Sequence, residues 1–170
     1  GLVVSLKGGH DAVGQETQAL DEEGARQAIL KHMDQVSAFA VSSMFGVRNP
    51  GHEIRLRELI TELSDKPVTC GPELASALDA PRRALTVALN ARMVPTIHEL
   101  IRSMQKIMEE KGIKAPLMMV KGDGSLVNIE TALKQPVGTV LSGPAASVIG
   151  ACALSGVRNA IIADMGGTTT

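Results

Sequence analysis

Aromatic side chains are almost missing from this 170-residue chain: it has no Trp and no Tyr, and Phe39 and Phe45 are its two Phe. Base stacking and carbohydrate stacking have almost no platform here, so the core must be aliphatic. Charge of one sign is equally scarce, with 17 basic against 18 acidic residues and a formal net charge of -1. That balance implies neither a nucleic acid nor an anionic membrane surface as partner. Cysteine is limited to Cys70 and Cys152, outside any C-x-x-C pair, so no redox motif or zinc site is indicated. Two buried, reduced thiols are expected, as in a cytoplasmic protein. No apolar run reaches the length of a membrane span, and no basic-then-apolar leader opens the sequence.

What is present is enough for a globular domain with a real core, since 44% of the residues are hydrophobic. Short apolar runs alternate with helical patterns. "GLVVSLKGG" predicts a strand closed by a glycine turn, and "LDEEGARQAILKHM" a helix with an acidic start and a basic end after Asp21. Val36–Val41 reads as a central strand buried on both faces. Asn49 and Pro50 read as the N-cap and first residue of the next helix, followed by a short strand in "KPVTCGPEL". Pro81 to Lys111 predicts a long helix stopped by Gly112 and kinked or divided by Pro95.

The later segments continue the pattern. "APLMMVKGDGSLV" predicts a strand with a tight turn at Gly122–Gly124. "QPVGTVLSGPAASVIGACALSG" predicts a strand, a turn at Ser142–Pro144 and a small-residue helix ending at Gly156; a last strand is expected over Asn159–Asp164. The fold class expected is α/β, a sheet with helices on its faces.

The sequence ends "IIADMGGTTT". A glycine-rich turn lets main-chain amides approach an anion with no Cβ in the way, and consecutive amides form a phosphate-binding concavity. Thr168–Thr170 add hydroxyl donors, and Asp164 just before the turn is placed to hold a magnesium ion through water. No G-K-[ST] follows, so this is not a Walker loop, and it is not G-x-G-x-x-G. An ordinary hairpin turn is the structural alternative.

Other polar groups are weaker candidates. "GGHD" at Gly8–Asp11 sets a histidine and an acid beside a glycine turn. Neighbouring side chains there point apart and no third ligand is identifiable, so a solvated turn is expected. Glu53, beside His52, suits the first turn of its helix electrostatically. Arg83, Thr86 and Asn90 share one helical face, the pattern of a solvated stripe, with a contact to another domain or to a substrate cleft as the sharper alternative. Met104, Met108, Met118 and Met119 read as aliphatic core filler.

The segment "LSGPAASVIGACALSGVRNAIIADMGGTT" resembles the hydantoinase A and 5-oxoprolinase family, whose members carry L-S-G-P-A-x-x-V-x-G-A followed by D-M-G-G-T-[ST]-T-D. Upstream, "AVSSMFGVRNPGHEIRLRELI" is similar to that family's strand and N-P-x-H-E, and "RALTVALNARMVP" to its R-x-x-T-x-x-x-N-A. The resemblance runs from about Val36 to the end.

It implies a ribonuclease H-like lobe of the actin, sugar-kinase and heat-shock ATPase type, here incomplete, with ATP and Mg2+ as cofactors. On that reading residues 1–157 are the lobe, and 158–170 the first strand and phosphate-loop start of the next, cut short as in a fragment inactive alone. Carried over, Asp164 faces magnesium, Gly166, Gly167, Thr168 and Thr169 contact phosphate, and Ser142 and Gly143 shape the turn beneath the nucleotide. A structural helix start is the equal alternative for Ser142 and Gly143.

The activity implied is ATP-dependent opening of a five-membered lactam or hydantoin by phosphorylating its carbonyl oxygen, together with the rest of the parent chain and a second subunit. Ketone carboxylase subunits of the same family, and a heat-shock-type nucleotide switch, are the alternatives. The resemblance names no ring-binding or catalytic residue in this chain.

Overall fold

The computed structural model describes residues 1–74, 79–157 and 159–165. They divide into two compact units, Gly1–Thr96 and Ile97–Thr170.

The first unit opens with a small hairpin, β1 (Gly9–His10) antiparallel to β2 (Glu16–Gln18), in which His10 lies opposite Glu16. Asp11 folds the loop: its carboxylate accepts from the Val13 and Gln15 amides at 3.0 and 2.9 Å. Helix α1 (Glu22–His32) follows, capped by Asp21, which accepts from the Gly24 amide at 2.9 Å. A β-α-β unit comes next: β3 (Phe39–Val41), α2 (Gly51–Leu63), then β4 (Val68–Cys70), which pairs in parallel with β3. The crossover helix lets the two strands run in the same direction.

Where α1 meets α2, Ala25, Ile29, Leu59 and Ile60 form the buried core, with Leu56, Leu63, Phe39 and Val68 packed against it. Each large aliphatic side chain withdrawn from water there contributes about 1.5–3 kcal/mol. Charged pairs border this contact: Arg55 donates to Glu22 at 2.7 Å and to Glu58 at 3.1 Å, and Arg26 to Glu62 at 3.1 Å. The hydrogen bond from Arg55 lowers the Glu22 pKa. A depressed carboxylate contributes stability above its unfolded pKa and loses it as pH falls through the folded value. The stability gap between wild type and Arg55→Gln is therefore expected to narrow on acidification, read from urea midpoints across the carboxylate range.

Helix α3 (Ala80–Glu110) runs unbroken through Pro95 and stops where Gly112 takes φ +66°. In the second unit a hairpin of β5 (Met118–Val120) and β6 (Leu126–Asn128) turns at Lys121–Ser125. Ser125 and Lys121 both hydrogen-bond Asp123 and hold its pKa far below the usual carboxylate range. Helix α4 (Ile129–Lys134) is capped by Asn128, and α5 (Ser142–Ser155) ends at Gly156 with φ +68°. Both glycine stops fall where the sequence puts them, because a left-handed residue closes a helix at least cost when it has no Cβ. None of the described helices is long and apolar enough to cross a membrane.

The architecture is mixed α/β, but the strands form three two-stranded sheets among the described residues instead of one covered sheet. The opening strand is not formed beyond Gly9–His10: Leu2, Val3 and Val4 are exposed and gain no ladder partner. The strand expected at Val36–Val41 shrinks to Phe39–Val41, with Ala40 exposed, so only one face is covered. Helix α2 starts one residue late, with Pro50 at the cap position. Asn49 serves from outside, accepting from the Gly51 amide and donating to the Gly14 carbonyl, both at 2.9 Å. Pro95 does not divide α3, since one missing donor leaves the neighbouring bonds intact.

Instead of a strand after Gln135, Pro136–Thr139 form a 3-10 turn that follows the unpredicted α4. The turn expected at Ser142–Pro144 is already helix, and the reversal falls on Leu141 at φ +61°. Residues 159–165 run as loop, since a strand exists only where a neighbour completes its ladder.

Candidate functional site

Of the residues singled out for phosphate, Gly166, Gly167, Thr168 and Thr169 lie outside the described residues. Asp164 is exposed and accepts a 2.5 Å hydrogen bond from Ser147 Oγ on α5. The acid is thus anchored to the helix that precedes it, not carried on a strand.

Ser142 and Gly143 are the first two residues of that helix. Leu141 at the cap position offers no side-chain acceptor, so the first-turn amides of Ser142 and Gly143 have no intrahelical partner. Among the described residues, and leaving aside its own helix's backbone, nothing stands within 4 Å of the place a Cβ on Gly143 would occupy. Ser147 is roughly 7.5 Å further along the axis, from a rise of about 1.5 Å per residue. Helix-start amides without intrahelical partners and an exposed carboxylate hydrogen-bonded from the loop to the same helix are thus gathered on α5. Behind them Ser142, Gly143 and Ala146 wall an aliphatic cavity of about 300 Å³, shared with Ile101, Met104 and Met118. Met104 and Met118 are 41% and 43% exposed, so these two line a surface instead of filling a core.

In the first unit the polar motif residues converge on one buried node. Glu53, 1% exposed, accepts from the Ser43 amide at 2.8 Å and the Ser43 hydroxyl at 2.9 Å through Oε1, and from the Gly71 amide at 2.8 Å through Oε2. Arg83, also 1% exposed, donates through Nη2 to the carbonyls of Ser43 and Met44. Asn90 donates to Thr69 Oγ1 at 3.2 Å, and Cys70 Sγ lies 3.5 Å from the Glu53 carbonyl that accepts its proton. The node ties the loop after β3 to α2, β4 and α3. The solvated stripe expected for Arg83, Thr86 and Asn90 is overturned, because Arg83 and Asn90 lie on the buried face with Val87, Ala91 and Val94. Thr86 Oγ1 donates to the carbonyl of Arg82 on its own helix.

Glycine is required at two points around the carboxylate. A Cβ on Gly71 would sit 2.9 Å from Glu53 Oε2, and one on Gly46 would collide with Glu53 Oε1. Cys70, within the node, has its thiol pushed up to about 12, by burial first and then by Glu73. A thiol so raised is almost wholly protonated at neutral pH and is a poor nucleophile. Cys152 is only partly buried. Iodoacetamide is expected to modify Cys152 well before Cys70, read by peptide mass spectrometry; equal rates would contradict the burial.

Two family patterns cover most of the chain: the pattern described as hydantoinase/oxoprolinase matches residues 83–170, and that of the hydantoinase/oxoprolinase N-terminal region matches residues 1–64. The chain belongs to the hydantoinase/oxoprolinase family. Among its relatives, caprolactamase subunit alpha of Pseudomonas jessenii is 32% identical over 161 residues, covering 92% of this chain and 23% of the relative. Acetophenone carboxylase gamma subunit of Aromatoleum aromaticum is 27% identical over 179 residues, covering 99% and 24%. The crystal structure of ATP-dependent caprolactamase from Pseudomonas jessenii superposes with a TM-score of 0.83 at 32% identity, covering 96% of this chain and 24% of that one. The chain therefore spans about a quarter of the length of these relatives.

Within a hydantoinase/oxoprolinase chain the upstream motifs acquire a physical reading. N-P-x-H-E contributes Glu53 as the acceptor at the node's centre, and R-x-x-T-x-x-x-N-A contributes Arg83 and Asn90, one face of α3 that reaches it. These motif residues build the scaffold of the first unit. Sequence reasoning missed Ser43 and Gly71 as Glu53's partners, since both act mainly through backbone groups that carry no side-chain signature.

Proposed function

We propose that this chain is part of an ATP-dependent enzyme that opens cyclic amides, and that its residues 142–170 form one side of the phosphate site. The observation that carries this is Asp164, exposed and held by Ser147 on the helix whose open amides belong to Ser142 and Gly143. Gly166, Gly167, Thr168 and Thr169 would continue that surface as backbone and hydroxyl donors, and Asp164 would hold Mg2+ through water. The lobe would be of the ribonuclease H-like, actin-related type, with residues 158–170 beginning the following lobe. When bound, ATP would supply a phosphoryl group to the amide oxygen; water adds at that carbon, the C–N bond breaks as the ring nitrogen takes a proton, and a second water displaces phosphate from the resulting acyl phosphate to leave the carboxylate. This chain's own part is to orient that group and to offset its developing charge with fixed amides.

Relatedness to an ATP-dependent caprolactamase supports a lactam, and the family resemblance supports a five-membered lactam or hydantoin ring. That relative is an alpha subunit, which supports a second subunit here. Acetophenone carboxylase gamma subunit matches nearly the whole chain and keeps one competing reading alive: a ketone carboxylase subunit. Phosphate release by the full-length protein with its partner subunit separates them. Release driven by lactams or hydantoins is expected; release driven only by ketone plus bicarbonate would replace the proposal, and release with no substrate dependence would favour a nucleotide switch.

A further inference from the structure

The loop expected to be a solvated turn carries a constellation of a different kind. His10 and Glu16 are cross-strand partners in the β1–β2 hairpin, so their side chains leave the same face of that ribbon. His52, in the first turn of α2, meets them there. Its Nε2 lies 3.6 Å from Glu16 Oε2, and its ring centroid is 4.2 Å from that of His10, tilted by 45°. One ligand atom from each of the three residues lies within 4.8 Å of the others.

We infer that His10, Glu16 and His52 bind a divalent transition-metal ion, with zinc the best match. Two imidazoles and a carboxylate are a zinc-type donor set, and three protein ligands leave a position open for water or a ligand. Tetrahedral zinc with bonds of about 2.1 Å separates its ligand atoms by roughly 3.4 Å. The His52–Glu16 distance of 3.6 Å is already close to that.

Two further observations favour a ligand over a plain ion pair. Nδ1 of His10 is buried and makes no hydrogen bond among the described residues. A buried ring nitrogen without a partner is costly, and its lone pair is the donor a borderline metal accepts. His52 is also packed against the hairpin's start, with Nδ1 3.3 Å from the place a Cβ on Gly8 would occupy, while Nε2 faces Glu16. His52 is 12% exposed and Glu16 52%, so two ligands are held on the hairpin and helix while the third closes from solvent. Asp11 takes no part, since its carboxylate closes the hairpin loop.

The ion would staple the hairpin to α2 within the first unit. The test is titration of the full chain with Co2+, as a spectroscopic stand-in for zinc, followed by competition with Zn2+. One visible-absorbing Co2+ per chain is expected at this site, displaced by Zn2+ and lost in His10→Ala. Glu16→Gln should weaken binding at least tenfold. His10→Gln preserves a polar side chain on the hairpin and should also lose the spectrum while its circular dichroism matches wild type. An unchanged Co2+ spectrum and stoichiometry in His10→Ala and His10→Gln would overturn the inference, as would no Co2+ or Zn2+ binding by the wild-type chain.

Discussion

Replacing Glu53 by Ala is expected to lower the unfolding free energy by about 3 kcal/mol or more. The substitution strips the acceptor from the Ser43 amide, the Ser43 hydroxyl and the Gly71 amide at once. Glu53 and Gly71 are buried, so water does not readily replace what is lost. Each buried donor left without a partner costs about 1–3 kcal/mol, and the missing side chain leaves a void beside Gly46 and Gly71. Against a typical margin of about 5–15 kcal/mol, that is a large share.

Glu53→Gln keeps the volume but turns an NH2 toward donors, so an intermediate loss of about 1–3 kcal/mol is expected. Urea unfolding gives the magnitude, and amide exchange at Ser43 and Gly71 gives the location. Unchanged protection of the Gly71 amide in Glu53→Ala would contradict the role of the node.

The second large effect concerns activity. Asp164→Ala in the full-length protein is expected to lower ATP turnover about 100-fold or more, the usual consequence of removing one fixed charge from a phosphoryl-transfer site. Stability should hardly change, because Asp164 is exposed and makes its hydrogen bond to Ser147 at the surface. Ser147→Ala removes only the orienting hydroxyl and should cost less, about tenfold, with the loss appearing partly in the apparent affinity for Mg2+. Calorimetry with magnesium and ATP, run beside turnover, distinguishes lost binding from lost chemistry.

The sequence made some parts of this protein legible because the signals were local. The acidic and basic ends of α1, the glycine stops at Gly112 and Gly156 and the turn at Gly122–Gly124 all follow from a few neighbouring residues. What it hid depends on contacts distant in sequence. Leu2–Val4 have strand composition but are exposed and pair with no strand among the described residues. Arg83 and Asn90 look like a solvated stripe until α3 packs them against Ser43 and Thr69.

The ending illustrates both cases. Its motif reads as a phosphate-binding pattern, most of it outside the described residues, whereas the anchoring of Asp164 to Ser147 appears only in three dimensions. His10 and His52 each drew notice alone. Their meeting through Glu16 was not legible, although the "DAVG" between His10 and Glu16 is a turn signal that would have paired those two residues across a hairpin.

The most direct test follows one oxygen atom. A lactam labelled with 18O in its carbonyl is incubated with ATP and the full-length protein together with its partner subunit, and the released phosphate is weighed by mass spectrometry. Phosphorylation of the carbonyl oxygen, addition of water at carbon, C–N cleavage and attack of a second water at the carbon of the acyl phosphate carry the label into phosphate, and that is the predicted result. Ring opening that leaves all of the label in the carboxylate product would contradict the account, as would no ring opening while ketone and bicarbonate drive phosphate release.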